Sequence, residues 1–188
     1  MEDPKRDFQT LGYSVLPRFL DDELRTKLLR HALVRAKDTA AIADDKQVPG
    51  TPAIYGDRVM ERLLARLAPT VGGMVGLELI PTYSYFRVYR PGDVLPKHVD
   101  RPACQVSMTL SLGYEAPAPW PIWFGPKDGK PTALNLTPGD AAIYRGMDIP
   151  HWRDAFDGTY AAQAFLHWVD VNGPYSDWKF DKRPGLTL

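Results

Sequence analysis

In the stretch KHVDRPACQV, Lys97 to Val106, a histidine and an aspartate stand two positions apart just before a run that alternates polar and apolar residues. In extended backbone such residues point to the same side, so His98 and Asp100 present an imidazole nitrogen and a carboxylate oxygen together. That is a starting pair for a divalent metal, but two ligands bind weakly and the pattern arises by chance. His151, within IPHWRDAF, is the candidate third ligand. It follows a candidate strand ending in Tyr144-Arg145, and antiparallel folding of the intervening strands brings it to the pair from an adjacent strand end. Two histidines and one carboxylate form the facial set that leaves three cis positions on non-haem Fe(II), for a bidentate co-substrate and O₂. The same ligands can hold Zn²⁺ with an activated water, which is hydrolytic chemistry, and composition does not choose between them.

The elements that must position these residues follow from periodicity. From Asp21 or Asp22, DDELRTKLLRHALVRAKDTA places Leu24, Leu28, Leu29, Ala32 and Leu33 on one stripe, which predicts a helix with acids at its start. A second helix is expected from Asp57 through Ala68, where Val59, Leu63, Leu64 and Leu67 recur before Pro69 stops the pattern. The segment between them, ADDKQVPGTPAIYGD, reads as an irregular loop, either filler or a flap near a site.

From Leu77 the period changes to two. Tyr83, Tyr85, Arg87 and Tyr89 share one side of a candidate strand ended by Pro91-Gly92, with Ser84, Phe86 and Val88 on the other. In the clearest strand, Gln105, Ser107, Thr109 and Ser111 oppose Cys104, Val106, Met108, Leu110 and Leu112. A face of small polar groups meets either solvent or a polar cavity inside a barrel or jelly roll. IWFG, TALNL, AAIYR and AAQAFLHWVDV add short strands, separated by KDGKP, TPGD and FDG. The expectation is an α+β, mainly β chain. Residues 1–188 form one domain, with a helical region at 1–75 packed outside, a jelly-roll core at about 77–171 and an irregular tail at 172–188 that wraps the surface or stays partly loose.

Composition narrows the partners. The 23 Lys+Arg balance 23 Asp+Glu, so no global field draws the chain to nucleic acid or anionic membrane, and neither is expected as a partner. The single cysteine, Cys104, forms no internal disulfide and is expected as a buried packing residue on the apolar face of its strand. MEDPKRDFQT has acids and no apolar core, and no long apolar run occurs, so a cytoplasmic protein with neither standard signal peptide nor span is expected.

The motifs occur in a recognisable order: YRPGD, then HVD, the strand QVSMTLSLGY, the turn LTPGD, and IPHWRDAFDG. In this order they resemble the 2-oxoglutarate/Fe(II)-dependent oxygenase superfamily, within it the prolyl-4-hydroxylase-like branch, over roughly half the chain, Tyr83 to about Val171. The resemblance implies a double-stranded β-helix in which His98, Asp100 and His151 bind Fe(II). It implies 2-oxoglutarate as co-substrate, O₂ as oxidant, and hydroxylation of an amino-acid-like, peptidyl or other small substrate. Relatives of this kind carry a Lys or Arg nine or ten positions beyond the distal histidine, where this chain has Tyr160 and Ala161. By local geometry the best substitute is Arg153, which shares the inward side of His151 and whose planar fork suits a carboxylate. Arg87, Arg101 and Lys97 come next. Tyr89 and Thr109 match family positions that face the co-substrate, and Gln163 and His167 share a face of the last strand from which either can line the cavity.

Trp120 and Trp123 are expected to cover an open sheet edge and Trp152 to stand at the cavity rim. Two other readings remain at this stage: a cupin-like metal-dependent hydrolase or isomerase, for which the missing Lys/Arg is natural, and a non-enzymatic jelly-roll binding module.

Overall fold

The computed structural model describes residues 3–38, 46–125 and 129–188. Two antiparallel sheets face one another. Strands β1 (Tyr13–Leu16), β2 (Ala53–Tyr55), β3 (Leu79–Tyr89), β5 (Val106–Glu115), β8 (Ala141–Tyr144) and β10 (Tyr160–Asp170) form one, in the order β1-β8-β5-β10-β3-β2. Strands β4 (Leu95–His98), β6 (Ile122–Phe124), β7 (Thr132–Leu134) and β9 (His151–Arg153) form the other, in the order β4-β9-β6-β7.

The alternation in β5 separates two interiors. Val106, Met108, Leu110 and Leu112 are fully buried against helices α2 (Asp22–Arg35) and α3 (Arg58–Val75), with Phe86 of β3 and Leu166 and Trp168 of β10 in the same cluster. Ser107, Thr109 and Ser111 are also fully buried. Their face is therefore the inner one, between the sheets, and not a solvated surface. The large sheet buries both faces, one apolar under the helices and one polar around the site.

Three expectations about the N-terminal region change. An unforeseen helix α1 (Pro4–Leu11) is signalled at both ends: Asp3 accepts from the amides of Lys5 and Arg6, Pro4 opens the first turn, and Gly12 closes it at φ 81°. The stretch read as helical also supplies β1 and β2, which join the large sheet through Tyr13↔Tyr144 and Ala53↔Arg87. Helix α3 does not stop at Pro69 but runs on to Val75 and ends at Gly76, φ 76°. One missing N–H is outweighed by burial of Ala68, Val71 and Val75 in the helix–sheet core.

The loop before α3 divides. Ala43–Asp45 lies outside the described residues, as do part of the KDGKP turn and the segment around Ala40, while Ala53–Tyr55 is strand β2. Cys104 is buried as expected, but not in the strand: it ends a 3-10 turn, Pro102–Cys104, with its sulfur 3.2 Å from the Tyr83 hydroxyl. The tail packs on the surface, the first of the two expected outcomes. A kinked 3-10 segment, Ser176–Lys182, packs on β3, and beyond it Arg183 Nη2 donates to Glu61 at 2.5 Å and to the Thr82 carbonyl at 3.2 Å.

Candidate metal centre

Strand pairing brings the distant histidine to the pair. His98 ends β4, His151 begins β9, and the two are register partners, with ring centroids 4.3 Å apart. Asp100 follows β4 by two residues, held by its own amide, which donates to the Gly146 carbonyl at 2.8 Å. The Asp100 carboxylate stands 3.6 Å from Nε2 of each histidine, through the same Oδ1. One ligand atom from each of the three residues lies within 4.8 Å of the others, a cluster that can hold a metal ion.

The tautomers suit that role. His98 Nδ1–H donates to the Pro96 carbonyl at 2.8 Å and His151 Nδ1–H to the Ile149 carbonyl at 2.9 Å. A carbonyl only accepts, so each Nδ1 carries a proton, and in the neutral ring each Nε2 turns its lone pair toward the shared point. Burial opposes the His98 imidazolium, but Asp100 and the Pro96 carbonyl outweigh it and hold the pKa above its ordinary value. For His151 burial prevails and holds the pKa down. Burial alone would raise Asp100; the interaction with His98 and the fields of His151 and His167 reverse this and keep the carboxyl acidic.

A second layer orients the carboxylate. Ser107 Oγ donates to Asp100 Oδ2 at 2.9 Å and lies 2.9 Å from His167 Nδ1, which therefore donates to the serine oxygen. His167 is buried and stacks on Tyr83 at 4.5 Å; burial lowers its pKa to about 4, so it is neutral near pH 7. Gly146 leaves the space: a Cβ there would overlap Asp100 Oδ2 and Ser107 Oγ. Asp100, Cys104 and His167 also lie close enough to count as a metal cluster, but Ser107 already occupies Asp100 Oδ2 and His167 Nδ1.

The cavity beside the three ligands holds about 320 Å³, and its walls include Tyr83, Tyr85, Arg87, Tyr144, Phe165 and His167. Arg153, Tyr89, Thr109 and Gln163 are not among the residues that line this cavity; Arg153 is 1% exposed. Its Nη1 donates to the Trp120 carbonyl at 2.6 Å, its Nη2 lies 3.5 Å from Gln163 Oε1, and its guanidinium sits 4.8 Å from the Trp120 ring. Among the described residues no carboxylate lies within 4.0 Å of it, and its Nε has no partner. Burial pulls its pKa down to about 10. The buried hydroxyls of Thr109 and Ser111 are likewise without partners. Arg87 Nη1 donates to the buried Tyr89 hydroxyl at 2.8 Å.

The remaining candidates sit elsewhere. Arg101 is at the cavity mouth, engaged by Asp181 of the tail through a two-pronged ion pair, and is not poised as an inner clamp. Lys97 points to the outer face, its Nζ 4.7 Å from the Trp152 ring. Trp152 is not at the rim: it stacks on Trp123 at 6.1 Å and 9°, on the side of β9 opposite His151. Trp120 covers Arg153 and packs against Tyr89 and Phe156. Sequence reasoning missed the bridging role of Ser107, legible only as part of a polar stripe, and gave no sign of Asp181.

No family model and no curated protein sequence matches the chain. Solved structures do. A Pseudomonas putida prolyl-4-hydroxylase superposes with a TM-score of 0.69 at 18% identity, covering 88% of this chain and 96% of its own. EctD from S. alaskensis gives 0.71 at 20%, covering 89% and 76%. The epimerase SnoN, solved with Fe3+, alpha ketoglutarate and nogalamycin RO, gives 0.75 at 14%, covering 96% and 89%. The chain thus has the double-stranded β-helix fold that these proteins share, with the His98–Asp100–His151 cluster between its sheets.

Proposed function

We propose that the chain is a non-haem Fe(II)- and 2-oxoglutarate-dependent dioxygenase that hydroxylates an amino-acid-like, peptidyl or other small substrate. The observation that carries the reading is the convergence of two imidazole Nε2 atoms and one carboxylate oxygen on a point beside a cavity. This donor set suits iron with vacant adjacent positions.

The residues present also fit the co-substrate. A buried guanidinium without a carboxylate among the described residues is a costly arrangement that an anionic ligand relieves. Arg153 would hold the distal carboxylate of 2-oxoglutarate, with Thr109, Ser111 and Gln163 supplying hydrogen bonds around it. Tyr89 is oriented by Arg87 and packs edge-on against Trp120, whose carbonyl Arg153 engages. This arrangement accounts for a chain with Tyr160 and Ala161 where related motifs carry the cation. The hydrolase and isomerase readings leave the lone Arg153 charge unexplained.

When bound, iron with 2-oxoglutarate and O₂ supplies an oxidant able to abstract hydrogen from an unactivated C–H bond. The chain's own contribution is placement and dryness. His98 and His151 keep their Nδ1 protons on backbone carbonyls, Ser107 fixes the second oxygen of Asp100, and Trp120, packed on Phe156, lies over the Arg153 guanidinium. The prolyl hydroxylase from Trichoplax adhaerens was solved with a hypoxia inducible factor peptide and EctD with 5-hydroxyectoine, so the fold accommodates both peptidyl and small substrates. Succinate formation from 2-oxoglutarate under Fe(II) and O₂, screened over both substrate classes, tests the reading. Absence of any 2-oxoglutarate turnover, with iron bound, would reject it.

A further inference from the structure

The cavity mouth carries a recognition feature that the metal ligands and Arg153 do not use. Arg101 and Tyr55 both line the cavity, and both hold Asp181 of the C-terminal segment. Arg101 Nη1 and Nη2 donate to the two carboxylate oxygens at 2.5 and 2.7 Å, and the Tyr55 hydroxyl donates to Oδ2 at 2.5 Å. A guanidinium fork with a phenol beside it is a complete receptor for one carboxylate. It is also preformed. Arg101 lies 4.5 Å from the Tyr83 ring centroid, Tyr83 stacks on Tyr55 at 5.0 Å, and Arg183 lies 5.1 Å from the Tyr55 ring.

The backbone that delivers Asp181 is unfavourable. Phe180, Asp181 and Lys182 are three consecutive non-glycine residues at φ 51°, 57° and 59°, the left-handed region that L side chains avoid. The anchor of the tail lies beyond them: Arg183 holds Glu61 and the Thr82 carbonyl, and the Thr187 amide donates to Glu61. Asp181 can therefore leave the receptor and relax its turn while the segment stays attached to α3.

Charge identifies what replaces it. Among the described residues lining the cavity, Asp100 is the one acid, and it faces the metal centre, whereas Arg101 needs another anion once Asp181 leaves it. Tyr83, Tyr85 and Phe165 form the adjacent wall. We propose that Arg101 and Tyr55 read a carboxylate on the primary substrate, a small organic acid with an apolar or aromatic body, and that Asp181 is an internal stand-in displaced by it. The proposal rests on the oxygenase reading only in taking this cavity as the substrate's.

The test needs no turnover. Binding of 2-naphthoate and of 2-naphthamide is measured by titration calorimetry on the metal-free full-length protein, in wild type, Asp181→Asn, Asp181→Gly and the double variant Asp181→Asn/Arg101→Gln. Asparagine and glycine both tolerate φ near 57°, so the turn survives while the competing charge is lost. The expected result is at least tenfold tighter naphthoate binding in both single variants, little change for naphthamide, and loss of the gain in the double variant. Three results would each overturn the proposal: naphthoate affinity within twofold of wild type, an equal gain for the amide, or a gain that survives removal of Arg101. Succinate assays on the same wild-type preparation separate the two ideas. A naphthoate gain without 2-oxoglutarate turnover sinks the oxygenase and keeps the receptor, and turnover without the gain does the reverse.

Discussion

Replacing Arg153 by methionine is expected to stabilise the ligand-free protein while destroying its response to 2-oxoglutarate. The guanidinium is 1% exposed, lacks a carboxylate among the described residues, and has its pKa pulled down to about 10 by burial. At about 1.4 kcal/mol per pKa unit, keeping it charged costs on the order of 3 kcal/mol at neutral pH. The folded pKa of this base is depressed, so the unfolded chain binds more protons from about pH 10 up to the ordinary arginine range. The penalty is thus complete below pH 10 and fades as pH rises through that window. Methionine fills similar space without charge but strands the Trp120 carbonyl, which returns about 1 kcal/mol. The net gain is about 2 kcal/mol, or roughly 4–8 °C in Tm for a domain of this size.

Ligand response runs the other way. A co-substrate at a hundred times its Kd adds about 2.7 kcal/mol to the wild type. Losing a charge-assisted pair of hydrogen bonds weakens 2-oxoglutarate by roughly 10²-fold or more, which removes the shift in Arg153→Met. Thermal melts of both proteins, with and without Fe(II) and 2-oxoglutarate, read both effects. A variant that melts several degrees below wild type yet keeps the full ligand shift would refute the reasoning.

Two further substitutions probe the support of Asp100. Ser107→Ala removes the proton that fixes Asp100 Oδ2 and leaves His167 Nδ1 unpaired; Fe(II) affinity is expected to fall about 10–100-fold, read by anaerobic titration, with the fold retained by circular dichroism. Gly146→Ala drives a methyl into Asp100 Oδ2, Ser107 Oγ and the Cys104 carbonyl, so a loss of about 1–3 kcal/mol in denaturant unfolding together with weakened iron binding is expected.

The legible parts of the fold were those whose signal is local. In β5, Val106, Met108, Leu110 and Leu112 alternate with Ser107, Thr109 and Ser111, and the pattern announces a strand with two different faces. Burial of the polar face was not legible, because it depends on the second sheet lying across it. The same limit hid β1 and β2. Each is only three or four residues long and is defined by a partner far away in sequence, as Leu16↔Ala141 and Ile54↔Phe86 show. Pro69 misled because its local penalty is real but smaller than the burial of the turn that follows.

In the site, the convergence of His98, Asp100 and His151 was readable because metal chemistry restricts the search to histidines and carboxylates, and the chain has only four histidines. Arg153 followed from its two-residue offset from His151. Arg101 was harder: it stood among the substitute cations after Arg153, whereas its partner, Asp181, lies eighty positions on in a segment with no periodicity.

The central claim is that His98, Asp100 and His151 hold one iron with room for a co-substrate. Anaerobic titration of the purified protein with Fe(II), followed by 2-oxoglutarate under optical absorption, tests it most directly when His151→Ala and Asp100→Ala are run alongside. One iron per chain in the wild type, a new visible charge-transfer band on adding 2-oxoglutarate, and loss of both in the folded variants is the expected result. A wild-type protein that binds no iron, or variants that bind it as tightly as the wild type, would contradict the claim.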